Sequence, residues 1–432
     1  MSPRKTNRRP AQTFRIFLKW SLYAVLGYGV ITTVVFGHSS IDETKGVYRF
    51  HWSGLDALAN DEDFGFSTAT PVATKLDGSD GPYIFGDQQF IVTSDNKLVK
   101  SRVDSRLPIK VKADNQDQDS FYVTLKTAYQ PQQEQYALPA KLIAISDIEG
   151  NFDAFSSFLI KNGVMDRQYN WTFGQGHLVL NGDFVDRGEN EPQVLWLIYM
   201  LEDKAAAAGG RVHYILGNHE IMKLYGDYSY TEYKYREVAK QISGHSDWDT
   251  SARVLYGPNS ELGKWLKTKN VAAKIGPYLF VHAGINPNLY QHKLSLAEIN
   301  QIARKYYGQD AREKVTSPKE KTVLSKYDSP YWDRSLSMHT LYRAMYLLRD
   351  PLTANYHKTT QAELDQILDF YDASKLVVGH SIVFNVTTDY QGKLVKIDVK
   401  HGQEKNSPKT QGLLIESNQL YRIDGLGKKV KL

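Results

Sequence analysis

Side chains that bind hard metal ions or move protons recur in this 432-residue chain at one kind of place, the end of a short apolar run. KLIAIS leads into Asp147 and Glu149, HLVLNG into Asp183, RVHYILG into Asn218 and His219, YLFV into His282, and KLVVG into His380. Carboxylate, carboxamide and imidazole are the oxygen and nitrogen donors that divalent cations take, and a carboxylate set between two ions can bridge both. Such a set suits hydrolysis in which metal ions activate water and neutralise charge on the group attacked. Taken singly, each piece has an ordinary reading: GNHE as a turn, GH as a satisfied core histidine, DxE as a solvated loop. Their shared position and order make them one metal site.

The elements that must hold these residues alternate. From Lys141 onward, short apolar strands are interleaved with segments of helical spacing, DAFSSFLIKNGV, EPQVLWLIYMLEDKAAAAGG and AELDQILDFYDA, punctuated by Gly, Pro or Asp. In α/β sheets ligands gather beyond the carboxyl ends of strands, where every motif above falls. Upstream, QFIVTSDNKLVKS reads as strand, turn and strand, IKVKA and SFYVTLKTAY as two more strands around a DNQDQD loop, and DGSDG as a turn cluster. QPQQEQ, residues 130–135, reads as a linker.

With these motifs in hand, the chain resembles the calcineurin-like metallophosphoesterases of the serine/threonine phosphoprotein phosphatase type. The family pattern GDxHG, GDxxDRG, GNHE, H-[AG]-G and GH is matched by SDIEG, GDFVDRG, GNHE, HAG and GH. IMKLYGDYSY, LYGPNSELGKWLKTK and SPYWDR are further similar to its Shewanella-like bacterial branch. The resemblance covers about residues 140 to 400. It implies an αββα sandwich for the catalytic domain, 136–432. The residues outside the resemblance add, by their own patterns, an N-terminal transmembrane helix with its basic leader, 1–40, and an N-terminal β-rich extension and linker, 41–135. The resemblance also implies two divalent metal ions, manganese first, with iron, magnesium or zinc as alternatives. Asp183 would bridge them, Asp147 and Glu149 would complete the first site, and Asn218, His282 and His380 the second. His219, paired with Asp186, corresponds to the general acid. Arg187 would clamp phosphate oxygens with its planar fork, and Arg334 of SPYWDR would supply a second clamp. Glu220 is expected to orient an arginine or backbone. The implied reaction is in-line attack of a metal-bridging hydroxide on a phosphomonoester.

The pattern departs at Glu149, where the family has histidine. Two residues apart on a strand share a face, which would set Glu149 beside Asp147. A harder, anionic ligand there would favour manganese, magnesium or calcium over zinc, and raise the pKa of the water on the first ion.

The formal net charge is +5, but six of the basic residues, Arg4, Lys5, Arg8, Arg9, Arg15 and Lys19, lie within the first forty positions. The body is therefore near neutral and offers no nucleic-acid footprint. IFLKWSLYAVLGYGVITTVVF, residues 16–36, is long enough to span a bilayer, and the basic leader would keep its own side cytoplasmic. The catalytic region would then lie outside the cytoplasm, in the periplasm of a Gram-negative cell. A cleaved signal peptide is the rival, with a poor cleavage site and an overlong apolar run. The absence of cysteine is compatible with an extracytoplasmic location.

The expected partner is a phosphorylated substrate, with serine/threonine protein phosphatase as the leading reading. A nucleotide or diadenosine polyphosphate hydrolase is the runner-up, and a catalytically silent metal-binding module comes from a different class. The tyrosine-rich stretch YGDYSYTEYKYR, residues 225–236, is expected mainly to pack, and residues 286–340 to shape the pocket mouth. The C-terminal lysines 396, 400, 428, 429 and 431 read as a solvated face.

Overall fold

A computed structural model describes residues 9–42, 47–52, 54–55, 64–67, 75–309, 314–338, 343, 346–347, 350, 353 and 356–432. Arg4, Lys5 and Arg8 of the leader, and parts of the 286–340 insertion, lie outside them. The chain forms two compact units, Met1–Lys75 and Leu76–Leu432. The smaller holds the helix Arg9–Phe36 and a three-stranded antiparallel sheet of His38–Asp42, Val47–Trp52 and Phe64–Ser67. Within that helix, Arg15–Phe36 is long and apolar enough to cross a membrane.

Two six-stranded sheets build the larger unit. The first runs Arg211–Ile215, His177–Asn181, Lys141–Ile145, Gln411–Glu416, Gln419–Asp424, Lys429–Lys431. The second runs Thr387–Asp389, Leu394–Lys396, Lys375–Val378, Tyr278–Val281, Ala272–Ile275, Gln135–Tyr136. Alternation along each strand sorts the side chains into two cores. Leu142, Ala144, Val179 and Leu413 of the first sheet meet Ala273, Phe280, Val377 and Val395 of the second between the sheets. Ile143, Ile145, Leu178 and Leu180, and on the other sheet Leu279, Val281, Leu376 and Val378, point away into helix-facing layers. The central strands therefore need no polar face, being covered on both sides, while the edge strands Thr387–Asp389 and Lys429–Lys431 stay partly exposed.

Three strands of each sheet deliver the polar loops. Lys141–Ile145, His177–Asn181 and Arg211–Ile215 are parallel, as are Tyr278–Val281, Lys375–Val378 and Leu394–Lys396. Parallel neighbours present their carboxyl ends at one edge, so residues far apart in sequence converge there.

Residues 76–129 belong to the larger unit, so the contacts divide the chain after Lys75 instead of near residue 135. The strands foreseen there form: Asp80–Phe85, Gln88–Val92 and Leu98–Arg102 pair in one sheet, Ile109–Lys112 and Ser120–Val123 in a hairpin. They cover the outer side of the helix Glu191–Ala207. Trp196 Nε1 donates to the Pro82 carbonyl at 2.8 Å, and Gln193 Nε2 donates to Asp80 Oδ1 at 3.1 Å and to the Lys112 carbonyl at 3.2 Å. This helix is apolar on every side, with residues Val194 to Leu201 all buried, because it lies between a sheet and this extension. QPQQEQ, expected as a linker, is tied down: Gln135 and Tyr136 pair with Lys274 and Ile275 as an edge strand.

Candidate active site

Each sequence-predicted ligand but Glu149, which is four residues past its strand, stands one to three residues past a strand end. Asp147, Asp183 and His380 lie in left-handed backbone, with φ of 55°, 60° and 64°. That conformation costs a non-glycine residue free energy, and its recurrence at one edge marks backbone held in place by its surroundings. The loops meet so closely that a Cβ on Gly188 would lie 2.2 Å from the Glu149 carbonyl oxygen, which requires glycine there.

The Asp183 carboxylate and the rings of His282 and His380 offer donor atoms all within 4.8 Å of one another, and all three residues are buried. His282 Nε2 is 3.0 Å from Asp183 Oδ2, while its Nδ1 donates to the Asn181 carbonyl at 2.8 Å, fixing the ring. The Asn218 carboxamide completes the group, 2.9 Å from His380 Nδ1, 3.2 Å from His282 Nε2 and 3.3 Å from Asp183 Oδ2. Burial alone would strip His282 of its proton, but Asp183 and then Asp147 reverse this and raise its pKa to about 10. Those carboxylates are an excess of negative charge that a divalent cation would neutralise in place of the proton. Burial, then Arg334 and His282, hold the pKa of His380 well below the usual histidine value, so its ring is neutral as a ligand must be. Its Nε2 is buried without a hydrogen-bond partner. The His380 Nδ1 is the nitrogen that faces the Asn218 carboxamide, and a neutral ring nitrogen among hard ligands fits a metal ion.

Asp147 is drawn to the same place. Its Oδ2 accepts from the His380 backbone N–H at 3.3 Å, and burial pushes its pKa up to about 6, with His282 opposing and Asp183 reinforcing. Glu149 behaves otherwise, and the expectation drawn from strand alternation is corrected here. The strand ends at Ile145, and both Asp147 and Glu149 (φ 51°) have left-handed backbone, so the two-residue rule does not apply. The Glu149 carboxylate forms an ion pair with the Arg187 guanidinium.

His219 follows Asn218 at the start of the helix Asn218–Tyr225. Its Nδ1 lies 2.6 Å from Asp186 Oδ2, and its Nε2 faces Asp183 Oδ2 at 3.8 Å. Burial disfavours the imidazolium, but Asp183 and then Asp186 outweigh it and raise the pKa. Asp186 is itself held down to about 2, because Lys223 and His219 overcome the effect of burial. Glu220 orients backbone, accepting from the N–H groups of Asp183, Phe184 and Gly217 at 2.9, 2.6 and 2.8 Å. Arg187 lies over the Tyr230 ring at 5.4 Å and donates its backbone N–H to the Tyr230 carbonyl. Arg334 Nη1 is 3.3 Å from the His380 carbonyl oxygen, which sets it beside the metal ligands.

The sequence reading missed two residues. Asp398 follows the strand Leu394–Lys396 just as Asp147 follows its own strand; it is 3% exposed, and burial and then Asp147 raise its pKa well above the usual carboxylate range. The strand-end rule would have found it. Tyr230 is the exposed member of the tyrosine-rich stretch, edge-on to His219 at 5.0 Å, while Tyr228, Tyr233 and Tyr235 pack as expected.

The calcineurin-like phosphoesterase model matches residues 140–384, which span the first strand, the ligand loops and His380. The chain belongs to the calcineurin-like phosphoesterase family. This phosphoesterase is 29% identical over 257 residues to the Shewanella-like protein phosphatase 1 of Plasmodium berghei, a match covering 60% of the chain and 65% of that protein. To the Shewanella-like protein phosphatase 2 of Arabidopsis thaliana it is 31% identical, over 35% of the chain and 37% of that protein. The crystal structure of a cold-active protein-tyrosine phosphatase from a psychrophilic Shewanella superposes with a TM-score of 0.69 at 28% identity, covering 82% of this chain and 99% of that one. The expected likeness to the Shewanella-like branch is thereby borne out, and family and relatives together support a metal-dependent phosphatase.

Proposed function

We propose that the chain is a metal-dependent phosphomonoesterase acting on phosphorylated protein side chains and held at a membrane by its N-terminal helix. The observation that carries this reading is the buried His219–Asp186 pair beside the Asp183, His282 and His380 cluster. Asp183, Asn218, His282 and His380 would hold one divalent cation. Asp147 with Asp183 would hold a second, to which Glu149 is available only by leaving Arg187. When bound, such ions neutralise negative charge on the phosphoryl group and favour an attacking oxygen at neutral pH. Oxygen donors at the second position fit manganese, with iron, magnesium and zinc as alternatives.

The chain's own residues do the rest. Arg187 and Arg334, both within reach of the cluster's edge, would grip the phosphate oxygens and orient the ester. His219, kept protonated by Asp183 and Asp186, would give its Nε2 proton to the leaving oxygen while Asp186 holds the ring at Nδ1. A protein phosphate is favoured over other esters because the Plasmodium, Arabidopsis and Shewanella relatives are all named protein phosphatases. The Shewanella protein is named a protein-tyrosine phosphatase, so phosphotyrosine stands beside the serine/threonine phosphate first expected. The helix Arg15–Phe36 would cross the bilayer with its basic flank in the cytoplasm, placing the catalytic unit on the other side.

The test uses the full chain in detergent, stripped with chelator and reloaded with manganese, iron, magnesium or zinc. Expected are turnover of p-nitrophenyl phosphate and release of phosphate from phosphopeptides, with serine, threonine and tyrosine versions separating the side chains. Silence with every ion and ester would sink the reading, and a preference for dinucleoside polyphosphates would replace its substrate. Cell fractionation with alkaline washing should leave the chain in membranes; a soluble, N-terminally trimmed product would remove the anchor.

A further inference from the structure

Behind the proposed general acid lies a buried lysine that the reaction as described does not use. Lys223 is one turn beyond His219 on the helix Asn218–Tyr225, so both project from the same side. Its side chain is fully buried, with Nζ 2.5 Å from Asp186 Oδ1, 3.0 Å from Glu191 Oε1, touching Thr231 Oγ1, and over the Tyr228 ring at 4.7 Å. Glu191 is buried as well, and its other oxygen accepts from the Tyr256 hydroxyl at 3.2 Å. Thr231 Oγ1 donates to the same Asp186 oxygen at 2.8 Å.

The two oxygens of Asp186 therefore have separate tasks. Oδ2 faces His219 Nδ1 at 2.6 Å, and Oδ1 takes Lys223 and Thr231. With one oxygen pinned from behind, the carboxylate cannot rotate away from the imidazole, and His219 Nε2 stays turned toward Asp183. Stability alone is a poor reason for such an arrangement, because a buried ion pair is generally no better than an apolar side chain of the same volume. A carboxylate that orients a catalytic imidazole is a sound reason.

We propose that Lys223, anchored by Glu191, is a positioning residue: it fixes the rotation of Asp186 and through it aims the His219 Nε2 proton at the leaving group. The inference rests on the phosphomonoesterase reading.

A misaimed general acid harms esters in proportion to their need for a proton. Phenyl and alkyl phosphates have leaving groups that need protonation, and p-nitrophenol largely does without it. The full-length metal-loaded protein is compared with Lys223→Met and with Lys223→Met/Glu191→Gln, the second variant removing the acid that would otherwise be left buried without its cation. His219→Ala serves as control. Expected is a fall in kcat of about 100-fold on phenyl phosphate, within the range general acids contribute, at most about threefold on p-nitrophenyl phosphate, and an unchanged KM. In the metal-free protein, the downfield proton resonance of the His219 Nδ1–H···Asp186 hydrogen bond, identified by its loss in His219→Ala, should shift or broaden in both variants. Equal losses on both esters, a change confined to KM, an unmoved resonance, or unfolding of both variants would each overturn the proposal, leaving Lys223 a structural residue. If the wild-type protein hydrolyses neither ester, the phosphomonoesterase reading fails instead, and the resonance still reports whether Lys223 fixes the pair.

Discussion

Asp183 looks in two directions, and the two are built differently. On one side Asn218, His282 and His380 converge from three strand ends into a single buried group, with one ring tied to a backbone carbonyl and another held neutral. On the other side Asp147 waits with a raised pKa and Asp398 near it, while Glu149 is half-exposed and paired with Arg187. The complete side draws on short excursions from rigid strands. The incomplete one draws on a longer excursion, in which Glu149 stands four residues past the end of its strand and its carboxylate is taken by Arg187. Ligand identity is thus enforced by packing on one side and negotiated on the other.

The largest effect should come from the residue both sides share. Asp183→Asn is expected to lower phosphatase turnover on the order of a thousandfold, the scale of losing a group that acts on developing charge, measured with saturating metal. Next, the asymmetry itself can be broken by comparing His380→Ala with Glu149→Ala in metal titrations of chelator-stripped protein, followed by calorimetry. His380→Ala should weaken the tighter binding event by at least tenfold, and Glu149→Ala should leave it within about threefold; losing one of four donors matters more than losing a side chain engaged elsewhere. Equal losses would show that Glu149 ligates after all. A smaller change follows from the ion pair. In Glu149→Gln, Arg187 no longer faces an internal carboxylate that competes with phosphate, so KM for an aryl phosphate should fall by up to about fivefold, matching a half-buried, solvent-screened pair worth about 1 kcal/mol. A rise in KM, or a switch in metal preference, would return Glu149 to the role of ligand.

These contrasts also explain what the sequence could show. Strand-end residues were legible because an apolar run of four or five residues can be recognised locally and its carboxyl end faces the ligand edge by topology. The strand alternation assumed for Glu149 failed because residue type does not disclose where a strand stops, and two left-handed residues follow its end at Ile145. The placement of residues 76–129 could have been read from VLWLIYML, since a helix apolar all round must be covered twice. The division after Lys75 has no such local signal; it depends on pairings between distant segments, such as Gln193 with Asp80 and Lys112. Lys223 was visible as a charge beside GNHE, but its burial between Asp186 and Glu191 is set by tertiary packing alone.

The mildest test concerns Asp398, which sharpens the open side without touching the complete one. Its carboxyl is buried, and its pKa is raised first by burial and then by Asp147. A raised folded-state pKa means the folded protein holds this proton more tightly than the unfolded chain. Its contribution to stability is therefore full below the unfolded value near 4 and is lost as pH rises toward the folded value. Asp398→Asn keeps the shape and removes the titration. In metal-free protein the variant should melt a few degrees higher than wild type at pH 7, with the gap closing as pH falls below about 4. Loading with metal should shrink the gap at pH 7, because a cation on the open side would stabilise the carboxylate form of the wild type and not of the variant. If metal leaves the gap unchanged, Asp398 does not sense that position, and Asp147 must hold its share of any second ion without it.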